Sequence, residues 1–264
     1  MDRIYAFLFF LVLLLSGCEF NFRNSDNAEK IIEIQRYDRM ESVYLTTGDF
    51  SALQQMETGY PMETRTLIEN ILKIGAINDP EINNKFLAFF QDTTLQVLIS
   101  DVSAQYADMD DINLQLNMAF NKLVRFVPGL PVPKFYSQIG SLDQSIVVGD
   151  DRVGISLDKY MGEDYPLYKR FYTDFQRKSM TRAHIVPDCL CFYLISLYPL
   201  QGFDTRSQYE RDMHVGKMMW VCNQALGYKF FKTKYVEKIA AYMRQNPHFS
   251  IENLLKSSDY SMFN

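Results

Sequence analysis

Only one stretch of this chain is continuously apolar, Ile4 to Leu15, and its length limits what it can be. A helix rising about 1.5 Å per residue needs roughly 20 apolar residues to cross the hydrocarbon of a bilayer. The run is too short for that and has the proportions of a signal-peptide core. It leads directly into Leu15-Ser16-Gly17-Cys18, an apolar residue, two small ones and a cysteine, the order in which bacterial lipoprotein precursors are cleaved and lipidated. The small pair lets the chain lie extended in a peptidase cleft while the sulfur receives diacylglycerol. Residues 1–17 are therefore expected to be removed, leaving Cys18 as an acylated N-terminus in which each buried CH₂ contributes about 0.8 kcal/mol of attachment. Phe20 to Asn27, "FNFRNSDN", is polar and reads as a tether. The expected divisions are a signal peptide at 1–17, a lipidated tether at 18–27 and one domain at 28–264.

No second run approaches membrane-spanning length, so the body is expected to be water-soluble and held at one end. At 264 residues and 47% hydrophobic content it can bury a full core. Losing Asp2 and Arg3 with the signal leaves the formal charge at −5. That mild acidity makes nucleic acid or anionic lipid a poor partner for the body as a whole. Three cysteines remain after anchoring: Cys189, Cys191 and Cys222. Cys189 and Cys191, one residue apart on a helix, point about 200° away from each other. An odd count without a CxxC predicts buried free thiols, not a disulfide framework or a zinc knuckle.

Along the chain, "AEKIIEIQRYDRMESVYL" carries Ile31, Ile34, Met40, Tyr44 and Leu45 at helical spacing. "METRTLIENILKIG", "EINNKFLAFFQD", "TTLQVLISDVSAQYAD" and "INLQLNMAFNKLVRFV" follow as amphipathic segments, so residues 28–127 read as a helical half. Three prolines in "PGLPVPKFYSQIG" end that series at Val127. "KFYSQIG" and the two halves of "DQSIVVGDDRVGISLDKY" then read as strands, with Gly149-Asp150-Asp151 as a hairpin turn in which glycine supplies a positive φ. A small antiparallel sheet is predicted, followed by "IVPDCLCFYLISLYPL", a very apolar helix with Pro187 in its first turn. "TRSQYERDMHVGKMMWVCNQALG" is a second helix ending at a glycine, and two shorter ones close the chain. The fold class is thus α+β and predominantly helical, with sheet and late helices in 131–264.

No pair of histidines has the one-turn spacing of a metallopeptidase helix, and serine elbows, phosphate loops and dinucleotide fingerprints are absent. His214 begins an apolar stripe with Met218, Val221, Cys222 and Ala225 and reads as a core histidine. The alternative is a metal site built from His184, Asp188 and His214. Asp108, Asp110 and Asp111 lack the glycine and the glutamate of a calcium loop and read as capping the helix that follows. A cleft between the sheet and the late helices, with Asp158, Tyr160, Asp164, Tyr165 and His214, is the candidate ligand site. No cofactor is expected.

Taken together, "GAINDPEINNKFLAFFQDTTLQ", "VPKFYSQIG", "VGISLDKYMGEDYPLY", "IVPDCLCFYLISLYP" and "MHVGKMMWVCNQALG" resemble the gliding-motility lipoproteins of the GldB type over nearly the whole mature chain. The phrase from Gly154 to Pro166 is the most specific of these. The resemblance implies a lipoprotein at the outer membrane of a bacterium, held in the bilayer through acylated Cys18; Glu19 to Asn24 contain no strong acidic run of the kind that marks surface export, so the periplasmic face is expected. The resemblance also implies an envelope protein partner in motility or secretion machinery and no nucleic acid. The family is distantly similar to zinc-peptidase-like proteins, whose His-Glu-x-x-His helix would fall at "IVPDCLCFYLISLYP". Here that helix has no histidine, and Val215 stands where family members usually read Glu before Gly-Lys. The resemblance therefore implies a degenerate zincin-like scaffold that is not an enzyme.

Overall fold

A computed structural model describes residues 31–149 and 151–263. The signal and tether segments, Cys18, residues 28–30 and Asp150 of the hairpin turn lie outside the described residues. From Ile32 onward the chain forms one compact unit.

The chain joins this unit in extended form, against the expected helix. Ile32 and Ile34 are buried while Glu33 and Gln35 are exposed, a period of two. Their backbone is held sideways: Ile32 N and Ile34 N donate to Asn117 Oδ1 (2.6 Å) and Asn113 Oδ1 (3.0 Å). Gln35 bridges to the first strand. The isoleucine spacing fits both periods, and the two asparagines outside the segment decide for the extended one.

Helix α1 (Tyr37–Thr47) follows and ends at Gly48, with α2 (Phe50–Gly59) capped by Asp49. Sequence reading passed over α2, whose "FSALQQMETG" has few apolar residues. Helix α3 (Pro61–Arg65) runs into a π-helical turn at Thr66–Ile71. Helices α4 (Ile82–Phe89), α5 (Thr93–Gln105) and α6 (Asp110–Phe126) complete the first half. In α6 the buried positions Ile112, Leu116, Ala119, Phe120 and Leu123 form a single face. The N-cap is Met109 and carries no side-chain cap bond, so the acidic cluster does not cap α6 as expected; Asp108, one residue earlier, accepts the Asp110 N–H at 2.7 Å, and Asp110 and Asp111 lie in the first turn.

The sheet has three strands, β1 (Lys134–Gln138), β2 (Ile146–Gly149) and β3 (Arg152–Ser156), in the order β1-β3-β2. The β2–β3 hairpin is antiparallel, as expected, but β1 pairs parallel to β3, so the sheet is mixed. Two features account for the parallel pair. The loop after β1 is drawn back by Asp158, which accepts Gly140 N (2.7 Å) and Leu142 N (2.5 Å), and so carries the chain past the central position. Gly154 then admits the ring of Tyr136 beside it: a Cβ there would stand 2.5 Å from Tyr136 Cζ. The outer edge of β1 is covered by Gln35. Gly149 ends β2 without the positive φ assigned to it.

Helix α7 (Tyr168–Phe171) and α8 (Asp174–Arg177) are single turns. Helix α9 (Ile185–Leu197) buries eight of its thirteen residues, in keeping with its apolar composition, and leaves Phe192 and Ser196 exposed. Helix α10 (Gln208–Leu226) opens with a capping box from Ser207 and Glu210 and closes on Gly227 at φ 83°. Helices α11 (Lys234–Gln245) and α12 (Ile251–Lys256) finish the fold. No helix of the described residues is long and apolar enough to cross a membrane.

Candidate functional site: a cavity at the start of helix α9

The segment between β3 and α9 has little regular structure, and it leaves a space against the N-terminal turn of α9. A 3-10 turn at Leu157–Lys159 is followed by Tyr160, and a second at Arg182–His184 runs straight into α9. The second turn is tied down by Arg182, whose guanidinium donates to both oxygens of Asp111. Ser145, Lys159, Tyr160, Tyr172, Met180, His184 and Asp188 line a cavity of about 490 Å³, with Phe175, Gln176, Lys178 and Ser179 toward its rim.

Asp188 carries the chemistry of this cavity. Burial pushes its carboxyl up to about 7, partly opposed by the Tyr160 hydroxyl, which donates to Oδ2 at 2.9 Å. Tyr160 is itself fixed, because its carbonyl accepts from Tyr106 Oη (2.6 Å) and Gln105 Nε2. Burial and the neighbouring Asp188 push the Tyr160 phenol well up, so it remains a donor. His184 Nδ1 lies 2.8 Å from Thr181 Oγ1, with its ring edge-on to Phe230, and burial lowers its pKa. Lys159 Nζ donates to Leu142 O (3.1 Å) and Tyr172 Oη (2.9 Å) and sits 4.4 Å over the Tyr172 ring. Its charge is already engaged. At neutral pH the wall therefore offers a carboxyl that accepts or donates, a neutral imidazole and apolar surface from Met180 and Phe175.

The hydrogen bonds do not chain Ser145, His184 and Asp188 into a nucleophile relay, since Asp188 takes Tyr160 and His184 takes Thr181. The structure thus brings together Tyr160, His184 and Asp188 of the sequence candidates. Asp158 is fully buried and spends both oxygens on loop amides. Asp164 is exposed and pairs with Lys169 at 3.2 Å. Tyr165 donates to Asp101 (2.8 Å) and faces a separate groove with Val97 and Arg170. His214 is away from the cavity lining: its Nδ1 meets Tyr260 Oη at 2.8 Å, and burial, then Lys217, lowers it to about 4. Among the described residues no three His, Cys, Asp or Glu side chains could hold a metal ion together. Cys189, Cys191 and Cys222 are free and buried.

The phrase "MHVGK" also has a structural use. A Cβ at Gly216 would stand 2.5 Å from Tyr235 Cβ, so glycine lets α10 and α11 touch. Lys217, buried and lowered to about 8, donates to the carbonyls of Leu255 (3.1 Å) and Ser257 (2.9 Å). Lys159, Tyr172, Met180 and Phe175 escaped the sequence reading. Their one signal was the density of tyrosines and basic residues between Lys159 and Arg182.

These elements define a predominantly helical α+β protein with a small mixed sheet and a cavity of mixed polar and apolar lining beside its most apolar helix. The chain belongs to the family of the gliding motility protein GldB, whose family model matches residues 21–235. It is thereby a gliding-motility-related lipoprotein. Comparison with curated proteins and with solved structures finds no match.

Proposed function

We propose that this lipoprotein works by binding: anchored through acylated Cys18 on the periplasmic face of the outer membrane, it holds a segment of an envelope partner in the cavity beside α9. The observation that carries the reading is the Asp188–Tyr160 pair facing open space below a rim where Phe175 is 85% exposed. An exposed aromatic over a buried polar pair fits a short peptide segment, with an apolar side chain against Phe175 and Met180 and an amide hydrogen-bonded to Asp188. The proposed partner is a component of motility or secretion machinery.

A photo-crosslinking residue at position 175, activated in intact envelopes, is expected to give one discrete adduct that disappears with Asp188→Ala. An adduct that survives that change, or none, would overturn the reading. One competitor, a residual metal-dependent hydrolase, keeps His184 and Asp188 in the cavity but has no third ligand among the described residues. Elemental analysis separates the two: a stoichiometric ion lost in both His184→Ala and Asp188→Ala would replace binding with metal chemistry.

A further inference from the structure

The formal charge of −5 hides an uneven distribution. Between Ile112 and Phe126 the sequence has Lys122 and Arg125 and no acid, and between Gly227 and Tyr235 it has Lys229, Lys232 and Lys234 and no acid. The fold brings the two stretches together, since a Cβ at Gly227 would stand 2.5 Å from Lys122 Nζ. The outward side of α6 is also apolar where it should be polar: Leu114 is 61% and Met118 54% exposed, one turn apart and one turn before Lys122. Tyr228, next to Gly227, is half exposed. Among the described residues Glu237 lies 3.8 Å from Lys229, and Asp212 is near Lys234 at the far end of the loop.

The place where the chain joins the body identifies what covers this surface. Asn117, beside Met118 on α6, exchanges two hydrogen bonds with Ile32, through Ile32 N (2.6 Å) and Ile32 O (2.7 Å). Thirteen residues separate Cys18 from Ile32. Even fully extended they span at most about 45 Å, so an anchor at Cys18 holds Ile32, and with it this flank of α6, within that distance of the lipid. Exposed leucine and methionine with an adjoining tyrosine and lysines are the residues that settle into the headgroup boundary of an anionic bilayer.

We propose that Leu114, Met118 and Lys122 of α6, with Tyr228, Lys229 and Lys232 of the following loop, form a face that lies on the phospholipid bilayer. The inference rests on acylation of Cys18, and it fixes the orientation of the body where the anchor alone would let it swing. The remaining cysteines are buried, so a single introduced one is labelled selectively.

The lipidated full chain carrying Met118→Cys and a bimane label is reconstituted in phosphatidylethanolamine–phosphatidylglycerol vesicles containing a nitroxide-headgroup lipid. The label is expected to lose roughly half its emission or more, as for a side chain at the headgroup boundary. Most of that quenching is expected to vanish with Lys229→Glu and Lys232→Glu or at high salt. A label at Phe50→Cys, an exposed position on α2, is expected to stay bright. Equal quenching at both positions, or quenching indifferent to the charge reversals, overturns the orienting face while leaving the anchor standing. A protein that fails to float with the vesicles overturns the anchor and this inference together.

Discussion

Asp158, fully buried, and Asp188, half-buried at the cavity wall, are both carboxylates without an ion-pair partner, yet they belong to different kinds of region. Burial pushes both upward. Asp158 is closed: two loop N–H groups occupy its oxygens, and Tyr168 donates to its carbonyl. Asp188 is open: one phenol occupies one oxygen, and the rest faces a cavity. Burial of an acid therefore does not by itself mark a site. What separates the two is unspent hydrogen-bonding capacity turned toward space that a ligand can fill.

The largest effect is expected at the closed acid. Asp158→Ala leaves two buried N–H groups without acceptors and releases the loop that lets β1 pair parallel to β3, and should cost about 3–5 kcal/mol in urea unfolding. A loss near that of an ordinary surface change would erase the distinction. At the open acid the sign reverses. The folded-state pKa of Asp188, about 7, lies above its ordinary 3.8, so the native state gains from holding the proton. That gain is complete below about pH 4 and is lost as pH rises through 7. Asp188→Asn, which stays neutral, is expected to be more stable than wild type by roughly 2–4 kcal/mol at pH 8 and equal to it at pH 4. Melting curves across that range check it, and a pH-independent difference would show that the Asp188 carboxyl is not raised by its place in the cavity.

Tyr160→Phe removes the one donor to Asp188. It should cost about 1 kcal/mol and move the Asp188 titration above 7, readable by carboxyl NMR. The smallest change is expected at the rim, where Phe175→Ala should stay within about 0.5 kcal/mol of wild-type stability while abolishing the partner adduct formed by a photo-crosslinking residue placed instead at the neighbouring Gln176.

The late helices were legible because each carried its own local marks. Helix α10 has Ser207 and Glu210 at one end and Gly227 at the other, and α9 has Pro187 inside its first turn. The sheet was legible only as strands. Its parallel pair depends on Asp158 reaching back to Gly140 and on Tyr136 lying against Gly154, contacts between residues 18 apart in sequence that no periodicity encodes. The start at Ile32 was misread because asparagines 79 and 85 residues away hold its backbone. At the site, Tyr160, His184 and Asp188 stood out as polar residues near an apolar helix. Tyr172 and Phe175 did not, since α7 and α8 are four residues each and too short to show a face.

The stitched segment at residues 32–35 also has a mechanical meaning. A pull transmitted through the N-terminus meets the fold at Ile32, where bonds to Asn117 and Asn113 on α6 and to Phe135 and Ser137 on β1 share the load. Tension would thus be spread over a helix and a strand together instead of peeling one element free. Anchored as proposed, the body would have there a mooring suited to traction.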